Sequence, residues 1–114
     1  MAVAPINQVR RVVDYAVTEI PASKIDLGIP NYGYDWPLPY ERGVTKAATI
    51  GNVQAVRIAV ANDAEIRFDG LSESPYFTYT AGGISHEVWF EDVRSLDAKF
   101  RLIKEYGLRG CGYW

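Results

Sequence analysis

The chain has 114 residues, a formal net charge of −2, 48% hydrophobic and 23% charged residues. That is the composition of one soluble folded domain, and it excludes a disordered, collagen-like or coiled-coil chain. The near-neutral charge points away from nucleic acid as a partner, and no apolar run approaches the ~18 residues of a membrane span.

Ile6, Val9, Val12, Val13, Ala16, Val17 and Ile20 recur at i, i+3, i+4 spacing and predict a helix with one buried face over 6–20, ended by Pro21. Ile25, Leu27 and Ile29 alternate with Asp26 and Gly28, the period of a strand, and Pro30 closes it. Residues 31–40 carry Gly33, Pro37 and Pro39 directly after Pro30, and are expected to stay out of regular structure. Tyr32, Tyr34, Trp36 and Tyr40 lie in the same stretch, although a merely connecting loop is usually polar.

Thr49 or Asn52 is a good N-cap for a second helix, with Val53, Val56, Ala59 and Val60 as its apolar positions and its end near Asn62-Asp63. Short strands are expected at 65–68, 76–80 and 87–90, separated by Asp69-Gly70, Ser74-Pro75 and Gly82-Gly83. Ser95 is expected to cap a third helix with the stripe Leu96, Phe100, Ile103 and Tyr106, and Gly107 to close it. Residues 108–114 read as a last strand.

The order is helix, strand, α+β module, helix, strand. The outer elements alternate as in a parallel sheet or barrel, and the middle section reads as an insertion. Two sheet strands make an incomplete α/β unit, so the chain is expected to be part of a larger protein. Its unpaired strand edges and the apolar face of its first helix are expected to be hidden, in the isolated chain, by self-association or by rearrangement of the terminal elements.

Three separated segments, in order, are similar to glycoside hydrolase family 18, the chitinase-like TIM barrels. Ile25-Asp26-Leu27-Gly28-Ile29-Pro30-Asn31-Tyr32-Gly33-Tyr34-Asp35-Trp36 resembles the family's seventh strand and the loop after it. Trp89-Phe90-Glu91-Asp92-Val93-Arg94-Ser95, with Lys99, resembles the exit from the insertion domain into the seventh helix. Gly107-Leu108-Arg109-Gly110-Cys111-Gly112-Tyr113-Trp114 resembles the eighth strand. The wording of 32–40 is nearest to the LysM-associated branch of spore-forming bacteria, N-acetylglucosaminidases of cortex or cell-wall peptidoglycan.

The resemblance implies an α+β fold, a TIM-barrel fragment with an inserted module. Residues 1–39 and 91–114 would be barrel and 40–90 the chitinase-insertion-like module. It also implies a hydrolase of β-1,4-linked N-acetylglucosamine in peptidoglycan or chitin, working by the substrate-assisted retaining route. The family's Asp-x-x-Asp-x-Asp-x-Glu segment, which carries the proton donor, does not occur here. No catalytic residue, metal ligand or cofactor is therefore assigned. This chain alone is expected to be inactive and to supply walls of the sugar cleft. The implied location is extracytoplasmic, cell wall or spore, although residues 1–8 show no signal-peptide pattern. The rival reading is a stand-alone carbohydrate-binding module.

The candidate substrate-binding residues are Trp114, Tyr32, Tyr34, Trp36, Asn31 and Trp89. Aromatic rings pack on the C–H faces of sugars, and a carboxamide can donate to a substrate oxygen. Each has a plainer alternative: Trp114 as the core of a last strand, the other rings as packing between barrel and module. Tyr40 reads as structural. Glu91-Asp92 suggests an acid/base pair, but two acids before a helix also complement its positive end, with Arg94 in reach of either. His86, the only histidine, reads as a surface or hydrogen-bonding residue, and Cys111 as a small buried filler.

Overall fold

A computed structural model describes residues 1–113; Trp114 lies outside the described residues. Helix α1 (Ile6–Glu19) turns Ile6, Val9, Val13 and Val17 toward Ala98, Leu102, Ile103 and Tyr106 of α3 (Val93–Tyr106). Leu108, with Ala22, Ile25 and Leu27, completes this first core. Val12, expected on the buried face, is 67% exposed. One residue is ~100° around the helix, so Val12 looks past α3. It lines an apolar groove with Val3, Pro5, Val9 and Leu27. Ile20, also expected in the stripe, lies just past the helix end and is largely exposed.

Strands β1 (Asp26–Ile29) and β7 (Gly110–Tyr113) pair in parallel, with Asp26 opposite Gly110 and Ile29 opposite Tyr113. Cys111 is exposed rather than a buried filler, because β7 is an edge of a two-stranded pair that no described element covers on that side.

Between β1 and α3 the chain builds a second, five-stranded antiparallel sheet. Its order is β3 (Ala48–Ile50), β2 (Gly33–Pro37), β6 (Ile84–Trp89), β5 (Ser74–Ala81), β4 (Arg67–Asp69). Helix α2 (Asn52–Ala61) seats Ala55 and Ala59 on Ile50, Phe77, Val88 and Phe90, the second core. The stretch expected to be irregular is thus partly a strand, β2, paired on both sides. Gly33 makes this possible: a Cβ there would sit 2.4 Å from the Trp89 carbonyl oxygen. The sheet thus includes residues from Gly33 onward. Gly82 and Gly83, both at positive φ, turn β5 into β6.

Two expected caps are relocated. Thr49 lies in β3, and Asn52 is the first residue of α2 with Gly51 in the cap position. Asn52 spends its side chain on tertiary bonds instead. Asp92, not Ser95, caps α3: its carboxylate accepts from Ser95 N at 3.0 Å, and Ser95 Oγ accepts from Asp92 N at 2.9 Å. The adjacent acids are structural. Asp92 also pairs with Arg94 at 2.8 Å, while Glu91 turns inward to Lys99.

The Lys99 Nζ–Glu91 Oε1 contact is 2.9 Å, with side chains 1% and 3% exposed. It pins α3 to the segment leaving the second sheet. Removing one partner leaves a buried charge uncompensated, so Lys99→Met should cost about 3–5 kcal/mol in urea unfolding. The double change Glu91→Leu with Lys99→Met should recover most of that loss; if it does not, the pair is not the source of the cost.

Candidate functional site

Side chains alternate across a strand, and residues directly opposite on paired strands share a face. In β2 that alternation places Tyr34 and Trp36 on one side and Gly33 and Asp35 on the other. Tyr34 lies opposite Trp89, and Trp89 opposite Tyr76, so three rings form a row across β2, β6 and β5. The next row is Trp36, Glu87 and Thr78. The opposite face carries Phe77 and Val88 into the α2 core. One face of the sheet is core, and the other is an aromatic ledge.

The rings of the ledge are half-buried and hold one another. Tyr76 and Trp89 stack at 4.5 Å between centroids and 18° between planes. Tyr32 meets Tyr34 edge-on at 5.8 Å, Tyr34 meets Trp36 at 5.6 Å, and Trp36 meets Tyr40 at 5.6 Å. Such stacked and edge-on geometry suits ring quadrupoles. Burial first, then the neighbouring Tyr32 hydroxyl, pushes the Tyr34 phenol pKa up. Glu87 sits within the ledge and accepts from the Trp89 indole N–H at 2.5 Å. The Trp36 indole N–H donates to the Met1 carbonyl at 3.0 Å, so the first residues of the chain lie along the same face.

Because β1 and β7 are parallel, Ile29 and Tyr113 end at the same edge. From that edge Pro30, Asn31 and Tyr32 lead directly into β2. Asn31 is exposed, and its Oδ1 accepts from Asn52 Nδ2 at 3.3 Å. Asn52 Oδ1 in turn accepts from the Glu91 backbone N–H at 2.9 Å.

Of the candidate residues, Tyr34, Trp36 and Trp89 share one face, with Tyr32 edge-on to Tyr34 at its end; Asn31 precedes them in the chain and is bonded to Asn52 of α2, the helix that covers the opposite face. Trp114 lies outside the described residues. Tyr40 packs on Trp36 at the rim and is 47% exposed. Tyr76, Glu87 and Asn52 are not among the site residues expected from the sequence. A period-2 reading of 33–37 and 84–89 would have put Glu87 beside Trp36 and Trp89. Nothing local in the sequence announces the tertiary bonds of Asn52. Among the described residues, no group of three or more His, Cys, Asp or Glu is placed to hold a metal ion.

Behind the ledge, Asp35 is a buried acceptor for two donors. Tyr79 donates its hydroxyl at 2.5 Å and His86 Nδ1 lies at 2.9 Å, with the His86 and Tyr79 rings stacked 4.7 Å apart. His86 therefore has the hydrogen-bonding role expected of it. Its partners come from strands far apart in the chain. The trio sits on the core side of β2, between the two residues that carry ledge rings, and braces them.

These features define a mixed α+β protein with an aromatic ledge beside the carboxyl edge of a parallel strand pair. The chain belongs to glycosyl hydrolases family 18, which it matches over residues 3–114. It is 54% identical to a cortical fragment-lytic enzyme of Bacillus subtilis, covering 99% of this chain and 26% of that protein. The spore cortex-lytic enzyme SleL of Bacillus megaterium superposes with a TM-score of 0.95 at 50% identity, over 100% of this chain and 27% of the other. A chitinase of Chromobacterium violaceum superposes with a TM-score of 0.81 at 36% identity, over 90% and 31%. The chain thus spans about a quarter of the length of the first two. No helix among the described residues is long and apolar enough to cross a membrane.

Burial first, then the Asp35 carboxylate, pushes the Tyr79 pKa up from 10.0 to about 12. The fold favours the protonated phenol, so this contribution is complete below pH 10 and is lost as pH rises toward 12. Thermal unfolding followed from pH 8 to 12 should show stability falling through that window, with a shallower fall in Tyr79→Phe.

Proposed function

We propose that this chain is the part of a cell-wall glycoside hydrolase that lines the sugar cleft. The observation that carries the reading is the ledge of Tyr34, Trp36, Trp89 and Tyr76, four rings on one sheet face next to the carboxyl ends of β1 and β7. Active-site loops of a TIM barrel lie at that end of its strands. In this reading α1, β1, α3 and β7 are barrel, the sheet and α2 are the inserted module, and the ledge is a cleft wall. Trp114, next in the chain after Tyr113, would be part of the floor.

The whole protein would cleave β-1,4-linked N-acetylglucosamine in peptidoglycan or chitin by the substrate-assisted retaining route. There the sugar's own acetamido oxygen attacks the anomeric carbon while a glutamic acid protonates the leaving oxygen. That acid lies in the Asp-x-x-Asp-x-Asp-x-Glu segment, outside this chain. Here Tyr32, Tyr34, Trp36 and Trp89 stack against sugar faces, and Asn31 bonds a substrate oxygen. The names of its bacterial relatives favour spore-cortex peptidoglycan as substrate and an extracytoplasmic, cell-wall or spore location. The apolar groove of Val3, Pro5, Val9, Val12 and Leu27 is the surface on which the rest of the barrel would pack.

Two measurements follow. In the full-length polypeptide, Trp89→Ala should weaken binding of N-acetylglucosamine oligomers about 5- to 10-fold, roughly 1–1.4 kcal/mol, by tryptophan-fluorescence titration. Unchanged affinity would remove the ledge from the cleft. The 114-residue chain alone should release no reducing ends from the same oligomers, and it should self-associate in sedimentation, less so as Val12→Lys. A chain that binds sugar tightly as a monomer would favour a stand-alone binding module instead.

A further inference from the structure

We propose that Asn52 is a positioning residue: it holds the Asn31 carboxamide so that the amide N–H group, not the carbonyl, faces the glycan. This rests on the cleft reading above and deepens it. The direction of each hydrogen bond follows from chemistry. The Glu91 backbone N–H can only donate, so the Asn52 atom 2.9 Å away from it is the carbonyl oxygen. The other branch of Asn52 is therefore its amino group, and this is the branch that meets Asn31 at 3.3 Å. An amide nitrogen does not accept, so Asn31 must turn its own Oδ1 inward. The remaining polar atom of this exposed side chain is Asn31 Nδ2, a donor with no acceptor among the described residues.

The relay is held at its root. Glu91 cannot shift its backbone freely, because its side chain is locked to Lys99 inside the protein. Asn52 is fixed by its place at the start of α2, whose Ala55 and Ala59 are buried in the core. A backbone donor in the second sheet's exit segment thus dictates, through two carboxamides, the polarity of a group at the edge of β1. The fitting ligand group is an acceptor oxygen, such as the acetamido carbonyl or a hydroxyl of an N-acetyl sugar. An ammonium or amide donor is disfavoured there. Without Asn52 the Asn31 carboxamide could present either end and would lose the advantage of being fixed before binding.

Asn52→Asp is the decisive change. An aspartate still accepts from Glu91 N–H, and an acid in the first turn suits the positive end of α2, so the fold is preserved. It now offers Asn31 an acceptor, so the Asn31 carboxamide turns over and presents its oxygen. In the full-length polypeptide, titrated with N-acetylglucosamine tetramer, Asn52→Asp and Asn31→Asp should each weaken binding about 5- to 10-fold. KM for the oligomer should rise while kcat stays within about twofold. Adding Asn52→Asp to Asn31→Ala should weaken binding no further, because the group that Asn52 directs is already gone.

If Trp89→Ala weakens binding while Asn31→Asp and Asn52→Asp leave it unchanged, the relay is overturned and the cleft reading survives. The relay is equally overturned if Asn31→Asp weakens binding but Asn52→Asp does not, or if the two effects multiply in the double variant. If none of the three changes matters, the cleft reading itself fails. A measurement that does not need Asn52→Asp covers the case in which that variant does not fold. In the 15N-labelled unmodified protein the Asn31 side-chain amide signals, assigned by their loss in Asn31→Ala, should shift on addition of the tetramer. No shift would overturn the proposal.

Discussion

The buried ion pair of Glu91 and Lys99 is the constraint around which the molecule is arranged. Its two side chains are almost wholly removed from water and 2.9 Å apart, so neither tolerates loss of the other. Lys99 belongs to α3, which packs on α1 in the first core, while Glu91 ends the segment leaving β6 of the second sheet. The pair therefore ties the two cores together. It also holds the Glu91 backbone N–H where Asn52 can accept from it, which brings the start of α2 against Asn31.

The pleat of one sheet then divides the chemistry. Asp35 and its neighbours Tyr34 and Trp36 are consecutive, yet the first faces a core trio and the other two face the ledge. Gly33 permits β2 to approach β6 closely enough for this division to exist. The polar trio of Asp35, Tyr79 and His86 satisfies a buried carboxylate with two donors, which a core demands of any charge it contains. On the other side, rings that would be costly to expose singly are grouped, stacked and half-buried against one another.

Family membership and the aromatic ledge support one another without being the same observation. The match covers residues 3–114, and the near relatives share the fold over the full chain. The ledge arises separately, from the register of β2, β6 and β5. Two arrangements meet here: a parallel pair with helices packed on it, and an antiparallel sheet whose ringed face, with the first residues of the chain along it, lies beside the carboxyl edge of that pair.

Much of this was legible in the residues themselves. Helical spacing located α1, α2 and α3, alternation located β1, and Gly107 closed α3 as its position predicts. The three motif segments pointed to the family. Local pattern overreached where neighbours decide: Val12 is exposed because α3 lies on the other flank, and Ser95 yields the cap to Asp92 because both halves of a capping box are present. The sequence by itself determined which segments are amphipathic and which residues can stack, donate or cap, since these depend on spacing and side-chain type. Only the tertiary structure decided that β2 is a strand, that Tyr76 and Glu87 join the ledge, and that Asn52 turns Asn31. Each of those depends on a partner more than a dozen residues away, brought close by strand pairing and by the burial of an ion pair, and no local pattern encodes such a contact.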